Sequence, residues 1–255
     1  MTYFYWDNKI DGLSLTASSE WTGFEIENIQ NIQRYKTWRS TGITSENIVI
    51  DSGLGNTITG SALIISKHNL TSSVVITLQG NATDSWGSPT FSQVQTYDHN
   101  DDTIFIANTT ATASYRFWRI VIADSTNTNS YIEIGRVFFG NGLLVDKGAS
   151  DSFSETVQNT TLTSYSNNGQ AYSDIGYTYR EFDLFFPFFE DTMKQSVKTM
   201  FATIGKHKPI FVVIDSENID KLQIRYCIIT SDESYTHLPT ANYNWSMSIN
   251  FREVN

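Results

Sequence analysis

The sequence predicts a mainly β protein of two domains. The 255-residue chain is rich in Thr, Ser and Asn, and only 17% of its residues are charged. This composition suits strands joined by hydrogen-bonded turns better than surface helices. Short runs of β-branched and aromatic residues recur between clusters of Gly, Asn, Asp and Ser, as in all-β domains. One stretch, in the second half, has the apolar spacing of a helix.

The strand-like runs of the first half follow one another at the regular spacing that is typical of a β-sandwich. They are Ile48–Asp51, Ala62–Ser66, Ser73–Gly80, Thr103–Ala107, Tyr115–Ala123 and Tyr131–Gly140. After Gly140-Asn-Gly142 the amino-acid composition changes, and the chain becomes rich in Ser, Thr and Asn. We therefore predict a first domain over residues 1–142 and a second over residues 143–255.

A helix is predicted over about residues 191–204 of the second domain. Asp191 or Thr192 can cap it, and Gly205 ends it. The residues that form its apolar stripe are Met193, Val197, Met200, Phe201 and Ile204. The spacing predicts that this face packs on a sheet.

The final strand is predicted to have one buried and one polar face. The apolar side chains on the first face are those of Tyr243, Trp245, Met247, Ile249 and Phe251. The side chains on the other face are those of Asn244, Ser246, Ser248, Asn250 and Arg252. The second domain is thus predicted to be a β-sandwich or β-barrel that carries one packed helix.

The charge of the chain limits its partners. A net charge of −10 argues against binding in a nucleic-acid groove, which requires a basic surface. No apolar segment approaches membrane-spanning length, so no membrane insertion is expected. The N-terminus lacks the pattern of a signal peptide, which predicts synthesis in a cytoplasm. Cys227, the single cysteine, lies in an apolar run and is expected to be buried.

No recognisable arrangement of catalytic residues or cofactor ligands occurs, so we predict neither enzyme activity nor a cofactor. A nucleophile elbow is missing, and Gly53-Leu-Gly-Asn-Thr57 is too short for a phosphate loop and precedes no helix. The four histidines are far apart, which argues against a structural zinc site. The run Asp98-His-Asn-Asp-Asp102 has the oxygen chemistry to hold calcium, but it lacks the spacing of a calcium loop. A solvated turn is the favoured interpretation, and no metal site is predicted.

Several phrases of the first half occur in an order that resembles the discoidin family of galactose-binding-like domains. They are Trp38-Arg-Ser-Thr-Gly-Ile-Thr44, Ile48-Val-Ile-Asp-Ser-Gly53, Ala62-Leu-Ile-Ile-Ser-Lys-His-Asn-Leu70, Val74-Val-Ile-Thr-Leu-Gln-Gly80, Tyr115-Arg-Phe-Trp-Arg-Ile-Val-Ile122 and Ile132-Glu-Ile-Gly-Arg-Val-Phe-Phe-Gly140. The resemblance covers roughly residues 20 to 140. It implies a jelly-roll β-sandwich.

Five of these residues are expected to build the core scaffold of the sandwich: Trp38, Asp51, Trp118, Arg119 and Glu133. Asp51 ends a buried strand, where it can bond the backbone of the following turn. A lone buried charge would be too costly, so one arginine of the Tyr115–Ala123 strand is expected to pair, with Glu133 as the candidate partner.

The resemblance also implies a glycan site, because members of this family commonly bind glycans or lipid heads through loops at one end of the sandwich. The candidate loops are Trp21–Phe24, Gln79–Trp86 and Tyr97–Asp102. An exposed Trp86 would stack on a sugar, and Asn and Asp would bond its hydroxyls. The alternative is a Trp86 folded back onto the sandwich. The predicted ligand-binding residues are Asn81, Asp84, Trp86, Asp98, His99 and Asp101.

The second half resembles tail-tube-like domains of bacteriophage tail proteins, especially distal tail (hub) proteins. The resemblance is carried by Tyr179-Arg-Glu-Phe-Asp-Leu-Phe-Phe186, the helix end at Ile204-Gly205, Lys208-Pro-Ile-Phe-Val-Val-Ile-Asp215 and Phe251-Arg-Glu-Val254. In the first half, Ile65-Ser-Lys-His-Asn-Leu70 is similar to segments of minor tail proteins.

This second resemblance implies a structural component of a phage tail, assembled in the host cytoplasm and carried in the virion. Copies of the chain, in a trimer or hexamer, would close a ring that joins the tail tube to the tip proteins. DNA would pass through the acidic lumen without specific binding. The sandwich would face outward, toward a host glycan or a neighbouring protein.

Two other functions remain open from the sequence. The first alternative is a stand-alone carbohydrate-binding module or lectin, which would share the sandwich and use the second domain for sugar or dimer contacts. The second is a tail-associated glycan hydrolase, since the chain has many carboxylates and counting them excludes nothing.

Overall fold

The computed structural model describes residues 2–100, 102–145, 154–214, 224–237 and 245–254. The chain divides into two compact units. The sandwich unit spans Asp7–Gly142, and the second unit combines Thr2–Trp6 with the described residues from Leu143 to Val254.

Strands are the main regular structure of the described residues, which also form one α-helix, α1 (Asp191–Ile204), and one 3-10 helix (Ile26–Gln30). The strands are β1 (Thr2–Tyr5), β2 (Ser14–Ala17), β3 (Trp38–Arg39), β4 (Glu46–Asp51), β5 (Ala62–His68), β6 (Val75–Asn81), β7 (Phe91–Val94), β8 (Asp98–His99), β9 (Thr103–Ile106), β10 (Phe117–Ala123), β11 (Glu133–Gly140), β12 (Leu143–Val145), β13 (Ser154–Asn159), β14 (Leu162–Tyr165), β15 (Ala171–Asp174), β16 (Thr178–Phe189), β17 (Ile210–Val213), β18 (Ile224–Ile229), β19 (Thr236–His237) and β20 (Trp245–Glu253).

Two antiparallel sheets pack face to face in the sandwich unit. Their strand orders, over the described residues, are β2-β4-β10-β6-β7 and β3-β11-β5-β9-β8. Alternate side chains of β4, β6 and β10 point into the core, because successive residues of a strand face opposite sides. Trp38 and Trp118 are fully buried there among isoleucine and leucine side chains.

Strand register defines two ends of this sandwich. Asp51 and Asn81 both pair with Phe117, which places them at one end, here named the Asp51 end. Glu46 pairs with Ile122 at the other end, the Glu46 end. The Trp118 Nε1–H donates to the carbonyl oxygen of Ile58 at 2.9 Å, so the segment that enters β5 also lies at the Asp51 end.

The second unit is built on one large antiparallel sheet. Eight strands of the described residues form it, in the order β12-β1-β17-β18-β20-β16-β13, with β19 paired to β20. The first-domain prediction included residues 2–5, but β1 pairs with β12 and β17 and so belongs to this sheet. Three apolar residues in the Thr2–Tyr5 run gave no sign of which sheet they would join.

The helix has the predicted bounds, and its apolar stripe is buried at Val197, Met200, Phe201 and Ile204. Its N-cap residue is Glu190, which makes no side-chain cap hydrogen bond, so the expected cap at Asp191 or Thr192 is wrong. Gly205 ends the helix at φ 55° and ψ −145°, a backbone conformation that residues with a Cβ rarely adopt.

The final strand keeps the predicted alternation with one exception. Met247, Ile249 and Phe251 are buried, whereas Ser248 and Asn250 are exposed. Ser246 is buried against the prediction, while Tyr243 and Asn244 lie outside the described residues. Cys227 is buried, as predicted.

The predicted fold class is confirmed: the chain is mainly β, with a jelly-roll sandwich and a second β unit that carries one packed helix. In the described part of the chain, neither helix is long and apolar enough to cross a bilayer.

Candidate functional site

The residues predicted to bind a ligand near Trp86 stabilise a turn at the Asp51 end. The Trp86 Nε1–H donates to Asp84 Oδ1 at 2.6 Å, and Asn81 Nδ2 donates to the carbonyl oxygen of Ser85 at 2.7 Å. Trp86 is half-buried, with the guanidinium carbon of Arg119 4.6 Å from its ring centroid. Trp86 is therefore folded back onto the sandwich, which was the alternative to a freely exposed ring.

The three candidate loops do not all lie at one end of the sandwich. Trp21–Phe24 lies at the Glu46 end, because the hydroxyl of Ser19, just before the loop, donates to Glu46 Oε2 at 2.6 Å. Gln79–Trp86 lies at the Asp51 end, because β6 ends there. The Tyr97–Asp102 loop lies at the Glu46 end, where the Tyr97 hydroxyl lies 3.1 Å from the carbonyl oxygen of Ser72, just before β6 begins. The seven-residue strand β10 connects the two ends and spans about 20 Å. The prediction that the three loops converge is wrong. Which loops lie together depends on the order of the strands in the sheets, and the loop sequences do not contain that order.

The oxygen-rich run after Tyr97 is a hydrogen-bonded turn. Asn100 Oδ1 accepts the backbone N–H groups of Asp102 and Thr103 at 2.8 and 2.7 Å. Asp102 pairs with Arg34 at 2.6 Å. His99 Nε2 lies 3.0 Å from the carbonyl oxygen of Leu70. Within the described ranges no group of three His, Cys, Asp or Glu side chains could hold a metal ion.

Asp98 and Asp101 are the remaining predicted ligand residues. Asp98 lies with His99 on the short strand β8, half-buried at the sheet edge. Asp101 lies outside the described residues. That these residues bind sugar stays a prediction.

The core scaffold differs from the prediction in two ways. Trp38 and Trp118 lie in the core, whereas Asp51, Arg119 and Glu133 are half-buried, and one ion pair has another partner. Glu133 pairs with Arg39 at 3.0 Å, not with Arg116 or Arg119. The reason is topological, since Glu133 lies opposite Arg39 in one sheet, whereas both other arginines belong to or flank β10 in the second sheet.

Asp51 and the arginines near β10 have other partners. Arg116 donates two hydrogen bonds to Asp51, at 2.7 and 2.8 Å, and Asp51 also accepts the backbone N–H of Gly53 at 2.8 Å. The Arg116 hydrogen bonds hold the pKa of the Asp51 carboxyl below its usual range. Arg119 Nε donates to Gln79 Oε1 at 2.7 Å on the outer face of the sheet, and burial lowers the pKa of its guanidinium.

An aromatic cluster that the sequence did not bring together lies at the Glu46 end. Trp21 is 47% exposed and its ring centroid lies 5.8 Å from that of Tyr131. The Arg39 guanidinium carbon lies 4.0 Å from the ring centroid of Phe24 and 5.1 Å from that of Tyr131. We name Trp21, Phe24, Arg39 and Tyr131 the Trp21 cluster. Its arginine is held by Glu133, which also accepts the Thr37 hydroxyl at 2.8 Å.

The loop that carries Trp21 is fixed by hydrogen bonds. The Trp21 N–H donates to the carbonyl oxygen of Arg39, and the Phe24 N–H donates to that of Trp21, each at 2.9 Å. Two carboxylates also bond the backbone, since Glu20 accepts the N–H of Ile26 and Glu25 accepts that of Gly23, each at 2.8 Å. The ring of Trp21 is thereby exposed on a rigid support.

The loop that carries Tyr131 is fixed from β5. Asn69 Nδ2 donates to the carbonyl oxygen of Tyr131 at 2.9 Å, and Asn69 Oδ1 accepts the N–H of Glu133 at 2.8 Å. Asp124, which is buried, accepts the backbone N–H and the hydroxyl of Thr71. Both aromatic loops therefore need little ordering when a ligand binds.

The Trp21 cluster can offer a ligand an apolar ring face beside charged, hydrogen-bonding groups. The sequence signal for it was weak. Trp21 and Phe24 were singled out as a loop, but Tyr131 is far away in the sequence and only the pairing of β3 with β11 brings it near.

Comparisons with known proteins concern the architecture. No family model matches the chain, and no curated protein matches it. Among solved structures, the lectin domain of lectinolysin in complex with Lewis B antigen is similar at 11% identity and a TM-score of 0.39, over 53% of this chain and 96% of that one. The family 32 carbohydrate-binding module of NanJ from C. perfringens, in complex with galactose, matches at 7% identity and 0.39, over 55% and 98%.

A chitosan-binding module from a Paenibacillus sp. IK-5 chitosanase/glucanase, in complex with chitotriose, matches at 18% identity and a TM-score of 0.41, over 52% of this chain and 99% of that one. Each match thus covers about half of this chain. At these identities and TM-scores the likeness concerns architecture alone.

Proposed function

We propose that this protein is a non-catalytic carbohydrate-binding protein that takes a sugar at the Trp21 cluster. The observation that carries the proposal is the half-exposed Trp21 ring, fixed on a rigid loop beside Tyr131 and the Arg39–Glu133 pair. An exposed indole in a hydrogen-bonded loop stabilises no core, whereas it is suited to bind an apolar ligand face.

The chemistry of the cluster matches a sugar ring. The C–H face of a pyranose would pack on the indole of Trp21, and its hydroxyls would bond the polar groups beside it. The ion pair of Arg39 with Glu133 neutralises both charges at the site, so the contact surface favours a neutral sugar. Rigid loops lower the entropy cost of binding.

A glycan array tests this proposal. The purified full chain should bind a set of neutral glycans above background, and free sugar of the same kind should compete. The first probes are galactose, Lewis B antigen and chitotriose, the ligands of structures with the same architecture. An array without any hit, read with folded protein, would contradict the proposal.

A specific observation favours ring assembly in a phage tail as a second candidate function. Strand β13 is the last strand of the large sheet, and β14 and β15 pair only with each other within the described residues. Leu162, Tyr165 and Tyr172 on this hairpin are 72%, 72% and 55% exposed. No charged residue occurs from Thr156 to Ser173, so most of this segment, between Glu155 and Asp174, lacks the charges that prevent pairing with another chain.

In this second candidate function, copies of the chain pair through this edge and close a ring between tail tube and tip. Electron micrographs of the concentrated protein test it. Closed rings are expected, and a chain that stays monomeric at high concentration would contradict it.

A further inference from the structure

A pocket at the Asp51 end lies away from the Trp21 cluster. It is an open depression of about 330 Å³, at the small end of the range for ligand pockets in proteins. The side chains that matter for its chemistry are those of Leu54, Asn56, Thr57, Ser114, Tyr115 and Arg116.

One wall of the pocket is a tight turn that projects a leucine. Gly53 and Gly55 have φ values of 87° and 78°, in the region that favours glycine, and Leu54 between them is 88% exposed. The Asn56 N–H donates to the carbonyl oxygen of Gly53 at 3.1 Å. The Ser52 hydroxyl donates to the carbonyl oxygen of Asn56 at 3.0 Å. The turn therefore holds Leu54 outward at a fixed position.

The opposite wall is fixed by backbone pairing and by an ion pair. Tyr115 and Ile58 exchange two N–H···O=C hydrogen bonds, of 3.1 and 3.0 Å. The Tyr115 ring packs edge-on against Trp118 in the core, with centroids 5.3 Å apart. Arg116 is anchored by its two hydrogen bonds to Asp51. Both walls are thus ordered before any ligand arrives.

The lining is amphipathic and almost neutral. Among the lining residues, Leu54 and Tyr115 have apolar side-chain surface, while Asn56, Thr57 and Ser114 carry an amide and two hydroxyls. The one charge, on Arg116, is offset by Asp51. An apolar ring face with hydroxyls at its edge complements such a lining, whereas an anionic ligand would have to compete with Asp51 for the guanidinium.

We propose that this pocket is a second carbohydrate site that takes a single neutral pyranose ring. Its volume suits one ring, and its neutral lining suits an uncharged one. The site is independent of the Trp21 cluster, about 20 Å away along β10, so either site can exist without the other.

Chemical-shift mapping on the isotope-labelled full chain tests the pocket. The protein carries Trp21→Ala, which removes the proposed first site, and is titrated separately with D-galactose, N-acetyl-D-glucosamine and D-glucose. At least one sugar should shift the backbone amide signals of Leu54, Gly55, Tyr115 and Arg116 in a saturable way.

Further substitutions in the Trp21→Ala protein show which side chains of the pocket bind the sugar. Asn56→Ala and Leu54→Ser should each weaken binding by about fivefold, the effect of losing one ordinary contact. Val94→Ser, which changes an exposed apolar residue on β7 that does not line the pocket, should change nothing.

Titrations of all three sugars without shifts at these four amides would overturn the proposal. Shifts that persist unchanged in both pocket variants would overturn it as well. The unsubstituted chain is titrated in parallel, and shifts at Trp21, Gly23 and Tyr131 there report on the first site. The two proposals therefore fail separately.

Discussion

Asp51 joins a strand end, a glycine turn and an arginine through one carboxylate. Its side chain accepts the Gly53 N–H and hydrogen bonds from Nε and Nη2 of Arg116. The sequence predicted the bond to the turn, because Asp before Gly commonly makes it. It did not predict the arginine, since the pairing of Phe117 with Asp51 depends on the sheet order.

We predict that Asp51→Asn lowers the free energy of unfolding by about 1 kcal/mol at pH 7, the effect of a half-exposed bidentate pair. The folded-state pKa of Asp51 is lowered. Its contribution is therefore complete above an ordinary carboxyl pKa of about 4 and is lost as pH falls through the lowered value.

Urea unfolding of both proteins between pH 7 and about pH 3 measures this contribution. The difference between the wild type and the variant should shrink toward low pH. Asp174→Asn, at an exposed carboxylate of β15, is the matched control and should show no such trend. A difference that stays constant over this range would contradict the assignment.

Helix α1 is the element that the sequence predicted best, with its bounds and its buried stripe. Its apolar periodicity, and the glycine that follows, are local signals that need no tertiary information. The polar, exposed strands β13, β14 and β15 were missed, because they bury no face and so have no apolar alternation.

Gly205→Ala is predicted to destabilise the protein by about 1–2 kcal/mol, because a Cβ is strained at the backbone angles of the helix end. A Cβ there would also meet the His207 ring at 3.1 Å. Thermal unfolding measures the effect. Lys198→Ala, at an exposed position of the same helix, should unfold close to the temperature of the wild type. Equal losses of stability in both variants would contradict backbone strain at Gly205 as the cause.

At the scale of the whole molecule, the sequence predicted which half holds which unit but not which loops lie together. Trp21 and Tyr131 meet because β3 pairs with β11, whereas Trp86 and His99 separate because β6 runs from one end of the sandwich to the other. Non-local pairing of this kind is absent from any single segment of the chain.

The second candidate function requires self-association through the hairpin of β14 and β15. Tyr165→Lys combined with Tyr172→Lys should shift any oligomer to monomer, because like charges would face each other at the paired edges. Both side chains are exposed, so the fold should persist. Light scattering measures the mass of the protein in solution. An oligomer that persists in the double variant would exclude this hairpin as the contact between copies.

Sugar binding at the Trp21 cluster is the central claim, and calorimetric titration of matched tryptophan variants tests it most directly. With the best glycan of the array, Trp21→Ala should bind at least about tenfold more weakly, the effect of losing one stacked ring. Trp86→Ala, which changes the tryptophan at the opposite end of the sandwich, should keep the affinity of the wild type. Unchanged binding in Trp21→Ala, with a loss in Trp86→Ala, would contradict the claim.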